Sequence, residues 1–477
     1  MTTLPEPSDA SELRAVFERQ RAWRWRAAQT GAAERRVILR HLLAGLNRHR
    51  DALAAALAQD LGKSRAEAEI TELHPVAEEL KHALRLLPRW MAPRPVPTPP
   101  GLFGTRSEVQ MQARGVTLIL SPWNYPVNLS LVPLVASLAA GNTVILKPSE
   151  QAPATARALR ELLTEVFEPQ LVTVVEGGPE VAGALTRLPF DHIFFTGSGQ
   201  VGRRVLAAAA EHLTGVTLEL GGKSPALVDR SADLDLAATR LAWGKFLNAG
   251  QTCVAPDYVL VPAELQGALA GRLREATARL FGEAQTLRDG ENYGRLLDGR
   301  SVERLSQLTR RSVAAGARLV LDGGADPDAR FLGPTIVGDV TPDMPLMREE
   351  LFGPVLPLVP YRHLDEALAL IRDHDAPLAM YLFARDPEAL RQVETHTTSG
   401  GLVVNGTVVH LSNPHLPFGG VGPSGQGRYH GEYGFRTFSH ERAVLHERPR
   451  SSVGLLYPPY GRALPRFVSW ALRRLDG

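Results

Sequence analysis

The sequence predicts an α/β protein built from two doubly wound domains in succession, and three observations carry that expectation. Short apolar runs alternate with helical stretches from Val116 onward, the rhythm of βαβ units around a parallel sheet. After Gly222 the same rhythm starts again. The chain has 477 residues, 44% hydrophobic and 22% charged, the proportions of an ordinary globular protein rather than a fibrous or disordered one. At roughly 100–200 residues per domain this length buries its cores without disulfides or metals.

Taken in order, the elements begin with a helical layer from about Ser11 to Met91, where apolar residues recur at steps of three and four, as in RRVILRHLLAGLNRHRDALAAALAQDL. The arginines from Arg14 to Arg50 alternate with Ala, Leu and Val at helical spacing, so they read as a solvated helix face and not as a nucleic-acid arm. A proline-rich crossing follows between 92 and 104, with PRPVPTPPGLFG at its centre. Between Arg114 and Lys147 lie 32 uncharged residues, long enough to resemble a membrane span. Pro122, Pro126 and Pro133 divide them instead into a strand (Gly115–Leu120), a turn, a short apolar helix (near Leu129–Ala140) and a second strand (Thr143–Lys147). Further strands are expected at Leu171–Val175, His192–Phe195 and Val216–Leu220. The second series runs near Pro225–Val228, Tyr258–Val261, Val355–Val359, Ala379–Phe383 and Gly401–Asn405.

Toward the end, seven glycines between Gly419 and Gly434 are interleaved with Tyr429 and Tyr433 and flanked by Phe418 and Phe435, which predicts an ordered loop rather than a flexible linker. The tail segment RFVSWALRRL puts Val468, Ala471, Leu472 and Leu475 on one helical face beside Arg466, Arg473 and Arg474. Such a helix can lie on a membrane surface, but docking on its own protein is the expectation here.

Charge excludes some partners. Lys plus Arg total 53 against 51 Asp plus Glu, a net charge of +2, too small to draw in nucleic acid. Five lysines leave 48 of those 53 cations as arginine. The only cysteine, Cys253, cannot form an intramolecular disulfide, and the N-terminus MTTLPEPSDASELR has no secretory n-region or h-region, so a cytoplasmic protein is expected.

A lone cysteine is most often a small buried hydrophobe. Here its neighbours in KFLNAGQTCVAP, notably Asn248, Gly250, Gln251 and Thr252, are poor core residues, and a turn among them would aim backbone N–H groups at whatever the sulfur attacks. Cys253 is therefore read as an ionised, reachable nucleophile with an oxyanion donor at hand. Glu219 in VTLELGGKSP follows a strand and precedes Gly221 and Gly222, which permit close approach. This places it at the rim of a cleft as a general base instead of on a solvent-facing strand. SPWNYP, Ser121–Pro126, ends a strand at the edge where α/β proteins bind ligands, and Asn124 within it can donate to an oxyanion.

Two segments suggest a nucleotide. FFTGSGQVGRRV runs from strand through glycine turn to helix, with Gly197, Gly199 and Gly202 spaced as G-x-G-x-x-G, although it follows the fourth strand instead of the first. VILKPSE puts Lys147 and Glu150 just past another strand end, where a cation and a carboxylate can hold ribose hydroxyls. Lys147, Lys223 and Lys245 are three of the five lysines, and all three fall inside these motifs.

As an ordered set, PWNYP, KPSE, FTGS with Gly202, LELGGKSP, GQTC, EELFGPV and LPFGGVG with SGxGxYHG resemble the NAD(P)-dependent aldehyde dehydrogenase superfamily, most nearly its class 3-like, fatty/aromatic and coniferyl-aldehyde branch. The resemblance spans about residues 15–445. It implies Cys253 as nucleophile, Glu219 as base, and Asn124 with the Cys253 N–H as oxyanion hole. Lys147 and Glu150 would hold the adenosine ribose, Ser198 with the Gly197–Gly202 turn the pyrophosphate, and Glu350 with Phe352 the nicotinamide end.

It further implies a Rossmann-like cofactor domain (1–95 and 118–219), a catalytic domain (220–412), and a bridging β-arm with C-terminal tail (96–117 and 413–477). The implied reaction is oxidation of a hydrophobic aldehyde, aromatic or of medium to long chain, through a thiohemiacetal and a thioester. NAD is the expected cofactor, with NADP also accepted, no metal takes part, and the assembly is a homodimer. This chain departs from the branch in reading Ser198-Gly199-Gln200-Val201-Gly202 after TG, and in Gly434 where relatives carry Ser. A non-redox cysteine hydrolase or acyl-transfer enzyme, or a non-catalytic binding protein, are the rival readings. The first leaves Lys147, Glu150 and Glu350 unexplained, and the second leaves the thiol, acid and amide unexplained.

Overall fold

The computed structural model describes residues 10–288, 290, 293–459, 465–466 and 468–469. Its first sheet has five parallel strands, β1 (Val116–Leu120), β2 (Thr143–Lys147), β3 (Val172–Val174), β4 (His192–Thr196) and β5 (Gly215–Glu219), in the order β3-β2-β1-β4-β5. β1 pairs with β2 on one side and β4 on the other. The chain thus reverses its direction of growth between β1 and β4, and the crevice at their carboxyl ends is where such sheets take ligands. The glycine turn after β4 therefore opens on that crevice although it follows the fourth strand. A two-residue strand, Gly425–Gln426, adds antiparallel to β5 and sets Gly425 opposite Glu219.

Between β1 and β2 the uncharged stretch forms the helix Asn128–Ala140, buried at every position from 130 to 140. It is covered by the N-terminal layer of helices Ala32–Arg48 and His74–Met91, while Ala10–Ala28 reaches the sheet through Leu13, Phe17 and Gln20. The helix ends at Gly141, whose φ of +89° suits glycine, and a Cβ there would lie 2.4 Å from the Arg35 guanidinium. Arg35 corrects the expectation of a wholly solvated arginine face. It is 5% exposed, donates to the Ala139 and Ala28 carbonyls at 3.0 Å, and burial lowers its pKa to about 10. The carbonyls at helix ends lack intrahelical partners, and a guanidinium satisfies them.

The second sheet has seven strands in the order Arg318–Leu321, Thr335–Gly338, Val355–Tyr361, Tyr258–Pro262, Pro225–Val228, Ala379–Phe383, Gly401–Val404, all parallel except the first. Arg318–Leu321, a partly exposed edge strand, and the buried Thr335–Gly338 escape the sequence reading. Arg94–Val96, Thr105–Ala113 and Ser439–Glu447 form a separate three-stranded antiparallel sheet.

The glycine-rich region is ordered, as the interleaved aromatics imply. Phe418 bridges to Tyr429, and a short helix runs Gly431–Thr437. A Cβ on Gly434 would sit 3.0 Å from the Ala136 Cβ, so that helix lies too close to Asn128–Ala140 for serine to fit without a shift. Of the tail helix, Ala471, Leu472, Arg473, Arg474 and Leu475 lie outside the described residues. Among the described residues no helix is long and apolar enough to cross a membrane.

Candidate active site

The loop before Cys253 is bent through three successive residues with positive φ, Asn248 (+53°), Ala249 (+51°) and Gly250 (+75°). Left-handed non-glycine residues persist only where their surroundings hold them, and these are held firmly. Asn248 receives Glu67 Oε1 at its N–H (2.9 Å), and its amide donates to the carbonyls of Asn124 (2.8 Å) and Gln251 (3.1 Å). Gln251 bonds back to Asn248 and across to Arg295 and Leu297. Asn124 donates one amide N–H to the Gln251 carbonyl at 3.0 Å, so the SPWNYP turn and the thiol loop are tied together.

Cys253 is half-buried and opens on an apolar cavity of about 120 Å³ lined in part by Tyr125, Leu129, Trp243, Phe418 and Tyr429. Its thiol is not the ionised group expected from sequence. Burial first, then the nearby Glu350 and Glu219, push it up to about 12, although the N–H groups of Cys253 and Val254 act in the opposite direction. Glu219 is likewise not at an open rim. It is 2% exposed, both carboxyl oxygens are buried without a hydrogen-bond partner, and desolvation raises its pKa well above the usual range. The edge strand Gly425–Gln426, two hundred residues away, pairs with β5 beside Glu219, a neighbour that the local sequence did not disclose.

The paired glycines after β5 admit a side chain. A Cβ on Gly221 would fall 2.2 Å from Glu350 Oε2, and the Gly222 N–H hydrogen-bonds the Glu350 carboxyl. Burial foremost, then Asp257, raises Glu350 to about 8. Above that pH its charge faces the sulfur. Glu350→Gln is therefore expected to lower the thiol pKa and to speed alkylation of Cys253 by iodoacetamide at pH 9 by roughly three- to tenfold, since the thiolate is the reacting form. An unchanged rate–pH curve would show that this charge does not reach the sulfur.

A second, larger cleft of about 600 Å³ lies at the crevice between β1 and β4 and is lined by Ser121, Trp123, Lys147, Glu150, Thr196 and Ser198 among others. Lys147 is buried and pairs with the more exposed Glu150 at 2.9 Å. Ser198 caps the helix Gly199–Ala209 by accepting from the Val201 N–H. Gly197 and Gly202 are needed for packing, since a Cβ on them would come within 2.5 Å of the Phe195 ring and 2.8 Å of Leu220, whereas Gly199 has only Arg203 within 4 Å. Two hydroxyls on this cleft, Ser121 Oγ and Thr196 Oγ1, are buried without partners. A cleft of mostly apolar lining that also carries a cation–carboxylate pair, orphan hydroxyls and a helix N-terminus fits a dinucleotide. Phe352, with φ of +48°, meets Trp123, a residue of this cleft, edge to face at 5.6 Å.

The lysine concentration in the motifs divides into two uses. Lys147 serves the cleft. Lys223 donates to Asp257 (2.7 Å) and to the carbonyls of Leu346 and Glu349, while Lys245 lies 3.6 Å from the other Asp257 oxygen, and burial lowers it to about 8. Asp257 also accepts from the Leu351 N–H, so this cluster fixes the segment that carries Glu350 and Phe352. Sequence reasoning missed Lys63, Glu67 and Glu72, which brace the site from the helical layer, and Tyr125, which braces it from the SPWNYP turn. The one local signal was that Lys63 is another of the few lysines. No group of three metal-ligating side chains occurs among the described residues.

Comparison with known proteins agrees with this geometry. The profile of the aldehyde dehydrogenase family matches residues 4–444. A 4,4'-diaponeurosporen-aldehyde dehydrogenase of Staphylococcus aureus is 42% identical over 89% of this chain and 92% of its own length. A probable coniferyl aldehyde dehydrogenase of Caulobacter vibrioides is 40% identical over 98% of both chains. The substrate-bound structure of Staphylococcus aureus AldH superimposes with a TM-score of 0.92 at 39% identity, covering 96% of this chain and 99% of that one. By sequence profile, by relatives aligned over nearly their whole length and by fold, the chain belongs to the aldehyde dehydrogenase family, in its class 3-like branch, and is an NAD(P)-dependent oxidoreductase acting on aldehydes.

Proposed function

We propose that the chain oxidises hydrophobic aldehydes, aromatic or of medium to long chain, to carboxylic acids, with Cys253 as nucleophile. The observation that carries this reading is the apolar cavity ending at the only thiol of the chain, together with the larger cleft that holds the Lys147–Glu150 pair and suits a dinucleotide. The Cys253 thiol first releases its proton to solvent, the thiolate then adds to the aldehyde carbon, and the carbonyl electron pair becomes an oxyanion held by the second Asn124 amide N–H and the Cys253 backbone N–H, a donor of this kind being worth roughly 3–4 kcal/mol. A bound NAD or NADP supplies the acceptor for the hydride that leaves this adduct. Glu219, once deprotonated, takes a proton from the water that cleaves the resulting thioester, which releases the acid and restores the thiol.

In the same reading Lys147 and Glu150 hold the adenosine ribose, Ser198 and the Gly197–Gly202 turn the pyrophosphate, and Glu350 with Phe352 the nicotinamide end. A carboxylate at Glu150 repels a 2′-phosphate and so favours NAD over NADP. The cofactor domain is assigned to 1–95 and 118–219, the catalytic domain to 220–412, and the arm and tail to 96–117 and 413–477. The enzyme is taken to be a cytoplasmic homodimer.

A panel of aliphatic and aromatic aldehydes with NAD and with NADP, read as reduced-cofactor absorbance, tests this. The expected result is a kcat/KM at least about tenfold higher for hexanal or benzaldehyde than for acetaldehyde, because each methylene buried in an apolar pocket contributes. A preference for acetaldehyde would overturn the substrate class, and ester hydrolysis without any cofactor reduction would overturn the redox assignment.

A further inference from the structure

Lys63 and Glu72 form an ion pair at 2.6 Å with both side chains fully buried. Pairs of this kind are poor stabilisers, since desolvation offsets their attraction, so the contacts they make elsewhere matter more. The ammonium has three donors and three neighbours: Glu72 Oε1, the backbone carbonyl of Asn124 at 3.1 Å, and the face of the Tyr125 ring, 3.9 Å from its centroid. The second oxygen of Glu72 accepts from the Val127 and Asn128 N–H groups at 3.1 and 2.9 Å, on the far side of the same turn. The Tyr125 hydroxyl lies 2.6 Å from Thr252 Oγ1, one residue before the thiol. Glu72 belongs to a π-helical turn, Glu69–Leu73, that interrupts the N-terminal layer, a feature that often accompanies functional sites.

We infer that Lys63, braced by Glu72, is a positioning residue for acyl transfer to Cys253: it fixes the Trp123–Tyr125 turn so that the Asn124 amide stays directed at the oxyanion. This rests on the assignment of Asn124 as oxyanion donor. The pair takes no part in bond making and touches neither the sulfur nor the cofactor cleft. Its effect is confined to the backbone that carries the amide, and to the tyrosine that spans from that backbone to the thiol loop.

The test uses the intact protein without cofactor and compares two reactions of the same sulfur. Acylation by 4-nitrophenyl acetate, read as the burst of 4-nitrophenolate, passes through an oxyanion, whereas alkylation by iodoacetamide does not. Lys63→Met/Glu72→Gln removes both charges while leaving an acceptor for Val127 and Asn128, and Lys63→Met alone is the second variant. A thermal midpoint within about 5 °C of wild type identifies which of them is folded and can be read. Acylation is expected to slow by about tenfold or more, with alkylation unchanged within twofold and little change in KM. Acylation at the wild-type rate, or alkylation falling in step with it, would overturn the inference. Asn124→Ala separates the two layers: if it leaves acylation intact the oxyanion assignment itself fails, and if it slows acylation while the Lys63 variants do not, only the present inference fails.

Discussion

Cys253→Ala is expected to abolish aldehyde oxidation and ester hydrolysis together, by a factor on the order of 10⁶, the cost of deleting a covalent nucleophile. The chain contains no other thiol to take over. Folding should survive, because the sulfur borders a cavity instead of filling a close-packed core site, and its loop is held by Asn248 and Gln251 and not by the thiol. Three measurements check the expectation: turnover with NAD, release of 4-nitrophenolate, and the thermal midpoint. Retention of either activity above a trace, in a protein that unfolds where wild type does, would place the nucleophile elsewhere and remove the basis of the proposed mechanism.

Glu219→Gln is expected to spare the first turnover and to slow the steady state by roughly 10²–10⁴-fold, the usual contribution of a positioned general base. The sign of its pH dependence follows from burial. Glu219 holds its proton well above the ordinary carboxyl range, and the base form is the active one. Wild-type turnover should therefore rise with pH as that proton is lost, and the glutamine variant should lose this limb of the profile. Stopped-flow absorbance of reduced cofactor separates burst from steady state. A vanished burst would mean that Glu219 acts before thioester cleavage, and an unchanged steady state would mean that another group activates the water.

The sequence was informative about these residues to different degrees, and the differences have physical causes. Cys253, Asn124 and Lys147 stand out because each breaks its local pattern: a thiol among polar residues, an amide in a proline-bounded turn, a lysine in an arginine-rich chain. Helix Asn128–Ala140 and strands β1, β2 and β4 follow from apolar runs punctuated by proline and glycine, which act within a few residues. The strand Arg318–Leu321 lies at a partly exposed edge and so lacks a buried apolar run, and the π-helical turn at Glu69–Leu73 leaves no signature in a helical window. Lys63 and Glu72 look like ordinary surface residues of a helical layer. Only their distance to Asn124 and Tyr125, sixty residues on, shows otherwise.

By itself the sequence determined the alternation of strand and helix, the single thiol and the residue types of the motifs around it, because these depend on residue type and on periodicities read over a dozen positions. Only the tertiary structure decided which groups lose water. Glu219 is buried without a hydrogen-bond partner, the Cys253 thiol is pushed up by burial and by the nearby Glu350 and Glu219, and Arg35 leaves the solvated face for a helix end. Desolvation and charge act through space, and the contacts that produce them join segments far apart along the chain.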